Sequence, residues 1–168
     1  MENMHLTAAG QGEHLLVVSD VVTIKASGQE TSGAQVVVEV SVPPGGGPPM
    51  LHRHQPAETF YVLEGKFEVT TADASNRLSA VRIGPGDTCS IPAMVWHTYK
   101  NVGATPGRFI AVLSPAGMER FFREIGRPLD DPRNPPVPAG PPSDEQRREM
   151  MAIIARHMEI LPPDAIVR

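Results

Sequence analysis

The stretch Leu51-His52-Arg53-His54-Gln55-Pro56-Ala57-Glu58 carries two histidines two positions apart and a carboxylate four positions after the second. Side chains on an extended segment alternate between its faces, so His52 and His54 point to the same side and Arg53 points away. A further histidine, His97, lies downstream. Three imidazoles and one carboxylate suit a divalent first-row transition metal. The pattern therefore predicts a metal site in a dry pocket.

The segments around this stretch have the pattern of short β-strands. Residues 36, 38, 40 and 42 are all valine and alternate with other residues, which predicts a half-buried antiparallel strand. The connector 43–49 contains only proline and glycine and cannot be a central strand. A hairpin turn is expected at Gly65. Further strands are expected at 15–18, 21–24, 59–63, 67–71, 78–83, 88–91, 95–100 and 108–113. Many short strands separated by turns predict an all-β barrel or sandwich.

Composition limits the class of protein. A length of 168 residues fits one domain. Charged residues are 20% of the chain and the net charge is -4, so neither nucleic acid nor an anionic membrane is an expected partner. The single cysteine, Cys89, excludes an internal disulfide. Because the N-terminus lacks the pattern of a secretion signal and no apolar run reaches about 20 residues, we expect a soluble cytoplasmic protein.

The pattern changes to that of helices after Ser114. Met118, Phe121, Phe122 and Ile125 form the apolar stripe of a helix that Gly126 ends. A proline-rich strap follows at 127–142, and Ser143 with Gln146 forms the capping box of a second helix at 144–157. The expected organisation is an N-terminal arm at 1–14, a barrel at 15–114 and a helical extension at 115–168.

The second helix has an apolar face rich in methionine. This face could bind a ligand or a partner, or it could dock on the barrel or on a second subunit. The strand region 15–24 is also apolar, and an apolar edge requires cover. These two surfaces predict a homodimer. The residues of the helix face are Met150, Met151, Ile154 and Met158.

Two motifs resemble those of the cupin family. The first is formed by Gly46, His52, His54, Glu58 and Gly65, and the second by Gly86, Pro92, His97 and Asn101. Met94 stands where the second motif usually has glycine. The resemblance covers about Leu15 to Ser114 and implies a jelly-roll β-barrel that is open at one end. It also implies one divalent metal ion (Fe, Ni, Mn, Co, Cu or Zn) held by His52, His54, Glu58 and His97.

Further stretches resemble the single-barrel, quercetinase-like dioxygenase branch of the cupins. They are 46–54, 60–65 and 113–118. This resemblance implies a dioxygenase that opens a flavonol, or a similar hydroxylated aromatic or enolisable substrate, with O2. Glu58 would then be both a metal ligand and the base that removes the hydroxyl proton. Three alternatives remain open: a purely structural metal site, an isomerase, cyclase or decarboxylase that needs no O2, and a non-catalytic small-molecule-binding module.

Alternation along the strands predicts the wall of the substrate pocket. Phe60 lies on the same strand face as Glu58, and Tyr99 on the same face as His97. Plain filling of the barrel is the alternative for Phe60 and for the valines. Tyr99 is expected to have a polar partner, because a buried phenol needs one. The predicted substrate pocket consists of Met50, Phe60, Tyr99, Val38 and Phe121.

Overall fold

The computed structural model of the chain describes residues 4–136 and 140–167. The first three residues of the predicted N-terminal arm, residues 137–139 of the strap and residue 168 lie outside the described residues. The strands are β1 (Glu13–Val17), β2 (Asp20–Ala26), β3 (Val36–Val42), β4 (His52–Arg53), β5 (Ala57–Glu64), β6 (Phe67–Ala72), β7 (Leu78–Ile83), β8 (Thr88–Ile91), β9 (Trp96–Asn101), β10 (Gly107–Ser114), β11 (Arg127–Pro128) and β12 (Glu159–Ile160). The helices are α1 (Met118–Ile125), α2 (Asp144–His157) and a 3-10 turn at Pro163–Ala165.

Two antiparallel sheets form a jelly-roll barrel. Within the described residues, the first sheet has seven strands in the order β11-β1-β2-β3-β10-β5-β8, and the second has five in the order β12-β4-β9-β6-β7. Buried side chains of both sheets belong to one apolar core, for example Val38 of β3 and Phe67 of β6. The predicted fold class, an all-β barrel of jelly-roll type with a helical extension, is confirmed.

The connection at Gly65 differs from the sequence prediction. β5 pairs with β10 and β8, whereas β6 pairs with β9 and β7. The chain therefore crosses from one sheet to the other at Gly65, and the predicted hairpin between these strands is wrong. The φ angle of Gly65 is 88°, which glycine adopts without a steric penalty. Turn residues specify a change of direction, but they do not specify which strand becomes the neighbour.

The apolar β1 and β2 strands are covered within the chain. Leu15, Leu16 and Val22 are each less than 5% exposed. β11 pairs with β1 on its outer side, so β1 is not the free edge that the sequence suggested. The prediction of a homodimer loses this support and stays a prediction.

The helical extension packs over one end of the barrel. α2 has the predicted bounds, and the capping box of Ser143 and Gln146 is present. Glu124 of α1 accepts hydrogen bonds from Arg156 at 2.8 Å and His157 at 3.0 Å, which links the two helices. β12 then pairs with β4, the strand that carries His52. No helix in residues 4–136 or 140–167 has the length and apolar character needed to cross a lipid bilayer.

Asn101 fixes the proline-glycine connector that leads to the histidine pair. Its side-chain amide donates hydrogen bonds to the carbonyls of Val42 and Thr105, each at 2.9 Å, and its Oδ1 accepts one from Gly103 N–H at 2.9 Å. Its backbone exchanges two further hydrogen bonds with Gly45 and Gly46. Asn101 is 1% exposed, so its amide and the buried carbonyl of Val42 depend on each other for a partner.

Replacing Asn101 with alanine should lower the free energy of unfolding by about 3 kcal/mol, because a buried network loses one member and its partners stay unpaired. Urea denaturation of chelator-treated protein measures this change. Asn134→Ala, at an exposed position, is the matched control and should change the free energy by less than about 0.5 kcal/mol. A loss of under about 1 kcal/mol for Asn101→Ala would contradict this role for the amide.

Candidate metal centre

Three strands bring the predicted metal-binding residues to one place. His52 on β4 lies directly opposite His97 on β9, and His54 follows β4 immediately. Glu58 projects from β5 on the same face as the buried Phe60 and Val62. All four side chains of the proposed set are buried, with exposed fractions of 8% for His52, 4% for His54, 8% for Glu58 and 2% for His97.

The four side chains converge on one point inside the barrel. One ring nitrogen from each of His52, His54 and His97 lies within 4.8 Å of the other two, and this group can hold a metal ion. Oε2 of Glu58 lies 3.4 Å from Nε2 of His54 and 3.3 Å from Nε2 of His97. The alternation argument therefore placed the groups on the correct faces of their strands.

Main-chain carbonyls fix the orientation of each imidazole. Nδ1 lies 3.1 Å from the carbonyl oxygen of Met50 for His52, 2.9 Å from that of Pro56 for His54 and 2.8 Å from that of Val95 for His97. A carbonyl only accepts, so in each ring the proton is on Nδ1 and the bond is donated to the carbonyl. With that proton on Nδ1, a neutral ring presents the lone pair of Nε2 to the centre, and a ring that gains a second proton donates from Nε2.

The converging lone pairs favour a proton or a cation between them. Nε2 of His97 is buried and has no hydrogen-bond partner among the described residues, and Oε2 of Glu58 lies 3.3 Å from it. Three nitrogen lone pairs and a carboxylate repel one another unless a proton or a metal ion lies between them. The donor set is that of a divalent transition metal, so the residues fit the ion predicted from the sequence.

The electrostatics of the site favour neutral imidazole at His52. The pKa of His52 is lowered to about 4, mainly by burial and in smaller part by the neighbouring His97. Burial alone would raise the pKa of Glu58, but interaction with His54 and His97 lowers it to about 2. Burial opposes protonation of His97 as well, yet Glu58 raises the pKa of His97 above its ordinary 6.5. The carboxylate is therefore ionised at neutral pH and attracts a cation.

Met94 has the backbone conformation that the second motif requires. Its φ angle is 62°, in the left-handed region that favours glycine, which usually occupies this position of the motif. The N–H of Met94 donates to the carbonyl of His54 at 3.0 Å. The turn that delivers His97 is thus kept, at a steric cost of about 1 kcal/mol.

An apolar cavity of about 180 Å³ extends from the histidines to the helical extension. Of the predicted pocket residues, Met50, Val38, Tyr99 and Phe121 line it. Phe60 is not among the described residues that line it, which favours the alternative of barrel filling for this side chain. Its ring fills the barrel behind the wall, in edge-to-face contact with Tyr99 and Phe109. The helical extension contributes Met118, Phe121, Phe122, Ile125, Met150, Met151, Ile154 and Met158.

Asp20 is a cavity residue that the sequence did not indicate. It is 5% exposed, and its Oδ2 accepts a hydrogen bond from the Tyr99 hydroxyl at 2.9 Å. Burial raises the pKa of Asp20 above 3.8, against the effect of the hydrogen bonds it accepts. The polar partner expected for Tyr99 is therefore this carboxylate. The sequence feature that could have identified Asp20 is its position as the only carboxylate within the apolar region 15–24.

Acidification should destabilise the metal-free protein between about pH 6.5 and pH 4 through His52. The unfolded chain binds a proton at the ordinary pKa of 6.5, whereas folded His52 binds it only near 4. Stability from this group is therefore complete above 6.5, and about 3 kcal/mol is lost as the pH falls to 4. Urea denaturation across this range measures the slope, and His52→Gln should reduce it relative to the exposed control His5→Gln. Equal slopes in both variants would contradict the assignment.

Comparison with known proteins identifies the family. A model of the cupin domain matches residues 38–113. Quercetin 2,3-dioxygenase from Bacillus subtilis is 31% identical over 127 residues, which are 75% of this chain but 36% of that enzyme, so the chain spans about a third of its length.

Solved structures agree on the fold. A predicted oxalate decarboxylase from Thermotoga maritima has a TM-score of 0.56 and 21% identity, covering 67% of this chain and 99% of that one. An RmlC-like cupin from Shewanella frigidimarina has a TM-score of 0.54 and 19% identity, covering 69% and 96%. Oxalate decarboxylase from Bacillus subtilis has a TM-score of 0.51 and 21% identity, covering 68% and 28%. With both cupin motifs on adjoining strands of a jelly roll, this chain belongs to the cupin superfamily.

Proposed function

We propose that this chain is a metal-dependent dioxygenase that acts on a hydroxylated aromatic or enolisable substrate, of which a flavonol is one example. The observation that carries the proposal is the convergence of three buried imidazoles and one carboxylate at the inner end of an apolar cavity. The similarity to quercetin 2,3-dioxygenase supports the choice of reaction. Since a cupin fold hosts many reactions, the proposal depends on the site and not on the fold.

His52, His54, His97 and Glu58 would hold the metal ion. When bound, a divalent transition metal supplies Lewis acidity, and a redox-active one also supplies electrons for reaction with O2. Three nitrogens and one oxygen leave coordination positions open on iron, nickel, manganese, cobalt, copper or zinc. The carbonyl partners of the three Nδ1 atoms keep the rings in place whichever ion is present.

Glu58 is the residue proposed to accept the substrate's hydroxyl proton. Its carboxylate lies on the cavity wall and is ionised at neutral pH. Burial by itself would raise the pKa of Glu58. Interaction with the imidazoles of His54 and His97 outweighs burial and lowers the pKa to about 2. A bound cation would lower the pKa as well. The carboxylate is therefore an effective base only if it is held loosely enough to turn toward the substrate.

The cavity wall sets the kind of substrate. Leu113, Ala111 and Phe109 of β10 form its floor, and Phe121 and Ile154 cover it from the helices. Such a wall excludes water and favours an aromatic ring. The cavity of about 180 Å³ is smaller than the roughly 300–1,000 Å³ of sites for drug-sized ligands. A one-ring substrate therefore fits it better than a three-ring flavonol, which requires displacement of the helices or partial exposure.

Metal-loaded protein should consume O2 with a one-ring enediol or catechol, with quercetin, or with both, and the substrate's near-ultraviolet band should disappear. Glu58→Gln should lower turnover by about 100-fold or more, because a general base contributes about 10²–10⁴. Oxygen electrode and absorbance measurements with each candidate metal test this prediction, and elemental analysis reports whether Glu58→Gln still binds metal.

Glu149→Gln is the matched control, because this glutamate is exposed on α2. It should leave turnover unchanged. Turnover that persists without O2 would instead support an isomerase, cyclase or decarboxylase. Ligand binding without product, for every metal, would support a non-catalytic binding protein.

A further inference from the structure

The cavity wall carries a second polar group besides the four residues of the candidate metal site. Asp20 lies at the start of β2 and on the cavity wall, with its side chain 5% exposed. Its Oδ2 accepts from the Tyr99 hydroxyl at 2.9 Å, and its Oδ1 accepts from the Ser19 hydroxyl at 3.0 Å. This buried carboxylate has no role in the proposed reaction.

The bond to Asp20 makes the Tyr99 oxygen an acceptor toward the cavity. A phenol has one proton, and Tyr99 uses it in the bond to the carboxylate. Its oxygen keeps lone pairs, and among the described residues no group donates to them. An unfilled acceptor in an apolar wall gains free energy when a ligand supplies a donor.

The ring of Tyr99 is held in a fixed position. It makes edge-to-face contacts with Phe60, at 5.7 Å between centroids, and with Phe109, at 5.0 Å. The backbone of Gly47 lies against it, since a Cβ at Gly47 would be 3.2 Å from Cδ2 of the ring. The ring therefore fixes the position of the hydroxyl oxygen, and the hydrogen bond to Asp20 fixes the direction of its proton.

We propose that Tyr99, oriented by Asp20, accepts a hydrogen bond from a second hydroxyl group of the substrate and so selects ligands that carry one. This inference rests on the proposed function and adds a substrate class to it, namely polyhydroxylated aromatics. Tyr99 is a specificity-determining residue, and Asp20 is a positioning residue that acts through it.

The charge of Asp20 also defines which donor is accepted. A carboxylate directly behind the phenol repels an anionic group, so a ligand carboxylate is disfavoured there. A neutral hydroxyl can donate a hydrogen bond to the Tyr99 oxygen and is not repelled by the Asp20 carboxylate.

The test compares the affinities of two probe pairs for the protein as purified: quercetin against 3-hydroxyflavone, and catechol against phenol. In one pair or both, wild-type protein should bind the member with additional hydroxyl groups at least about 10-fold more tightly. A difference of this size in affinity corresponds to one hydrogen bond that the analogue cannot make. Tyr99→Phe should reduce this ratio to under about threefold, and Asp20→Ala should do the same. Asp20→Asn keeps a carbonyl acceptor for the phenol and should retain part of the preference.

Tyr61→Phe is the matched control, because Tyr61 is 48% exposed on the outer face of β5. Its ratio should equal that of wild type. A loss of folding weakens both members of a pair together, so the ratio separates recognition from stability. An unchanged ratio in Tyr99→Phe, or wild-type protein that binds none of the four probes, overturns the inference. O2 uptake is measured separately, so a protein with the expected ratio but without turnover would overturn only the proposed reaction.

Discussion

The structure depends on the electrostatic conflict among three imidazole lone pairs and one carboxylate aimed at the same buried point. Each ring is prevented from turning away by a bond from Nδ1 to a carbonyl two residues distant in the chain, that of Met50, Pro56 or Val95. Because the backbone supplies these carbonyls, the orientation of the rings follows from the strands themselves. A proton or a metal ion between the four groups would resolve the conflict.

The division of labour between barrel and helices follows from where each meets the cavity. The region that matches the cupin domain, residues 38–113, supplies His52, His54, His97 and Glu58. The helices lie outside that region and supply the apolar cover, including Phe121 and Ile154. In this chain the barrel therefore supplies the candidate metal site, and the helices with wall residues such as Tyr99 shape the space beside it.

Local patterns predicted much of this structure, because alternation and capping depend on near neighbours. Such rules account for three features: the shared side-chain direction of His52 and His54, the valine face of β3 and both ends of α2. Pairing between distant segments does not follow from them. The crossing between sheets at Gly65, the cover of β1 by β11 and the bond from Tyr99 to Asp20 join residues that no spacing rule relates. Phe60 faces inward as predicted, and its ring packs edge-to-face on Tyr99 and Phe109.

The central claim is that the four converging groups hold one transition metal ion, and anomalous X-ray scattering from crystals of metal-reconstituted protein tests it most directly. A single anomalous peak per chain is expected, bounded by the three Nε2 atoms and the carboxylate of Glu58, and it should be lost in crystals of His97→Gln. A map with no peak among these side chains, from protein that has taken up metal in solution, would contradict it.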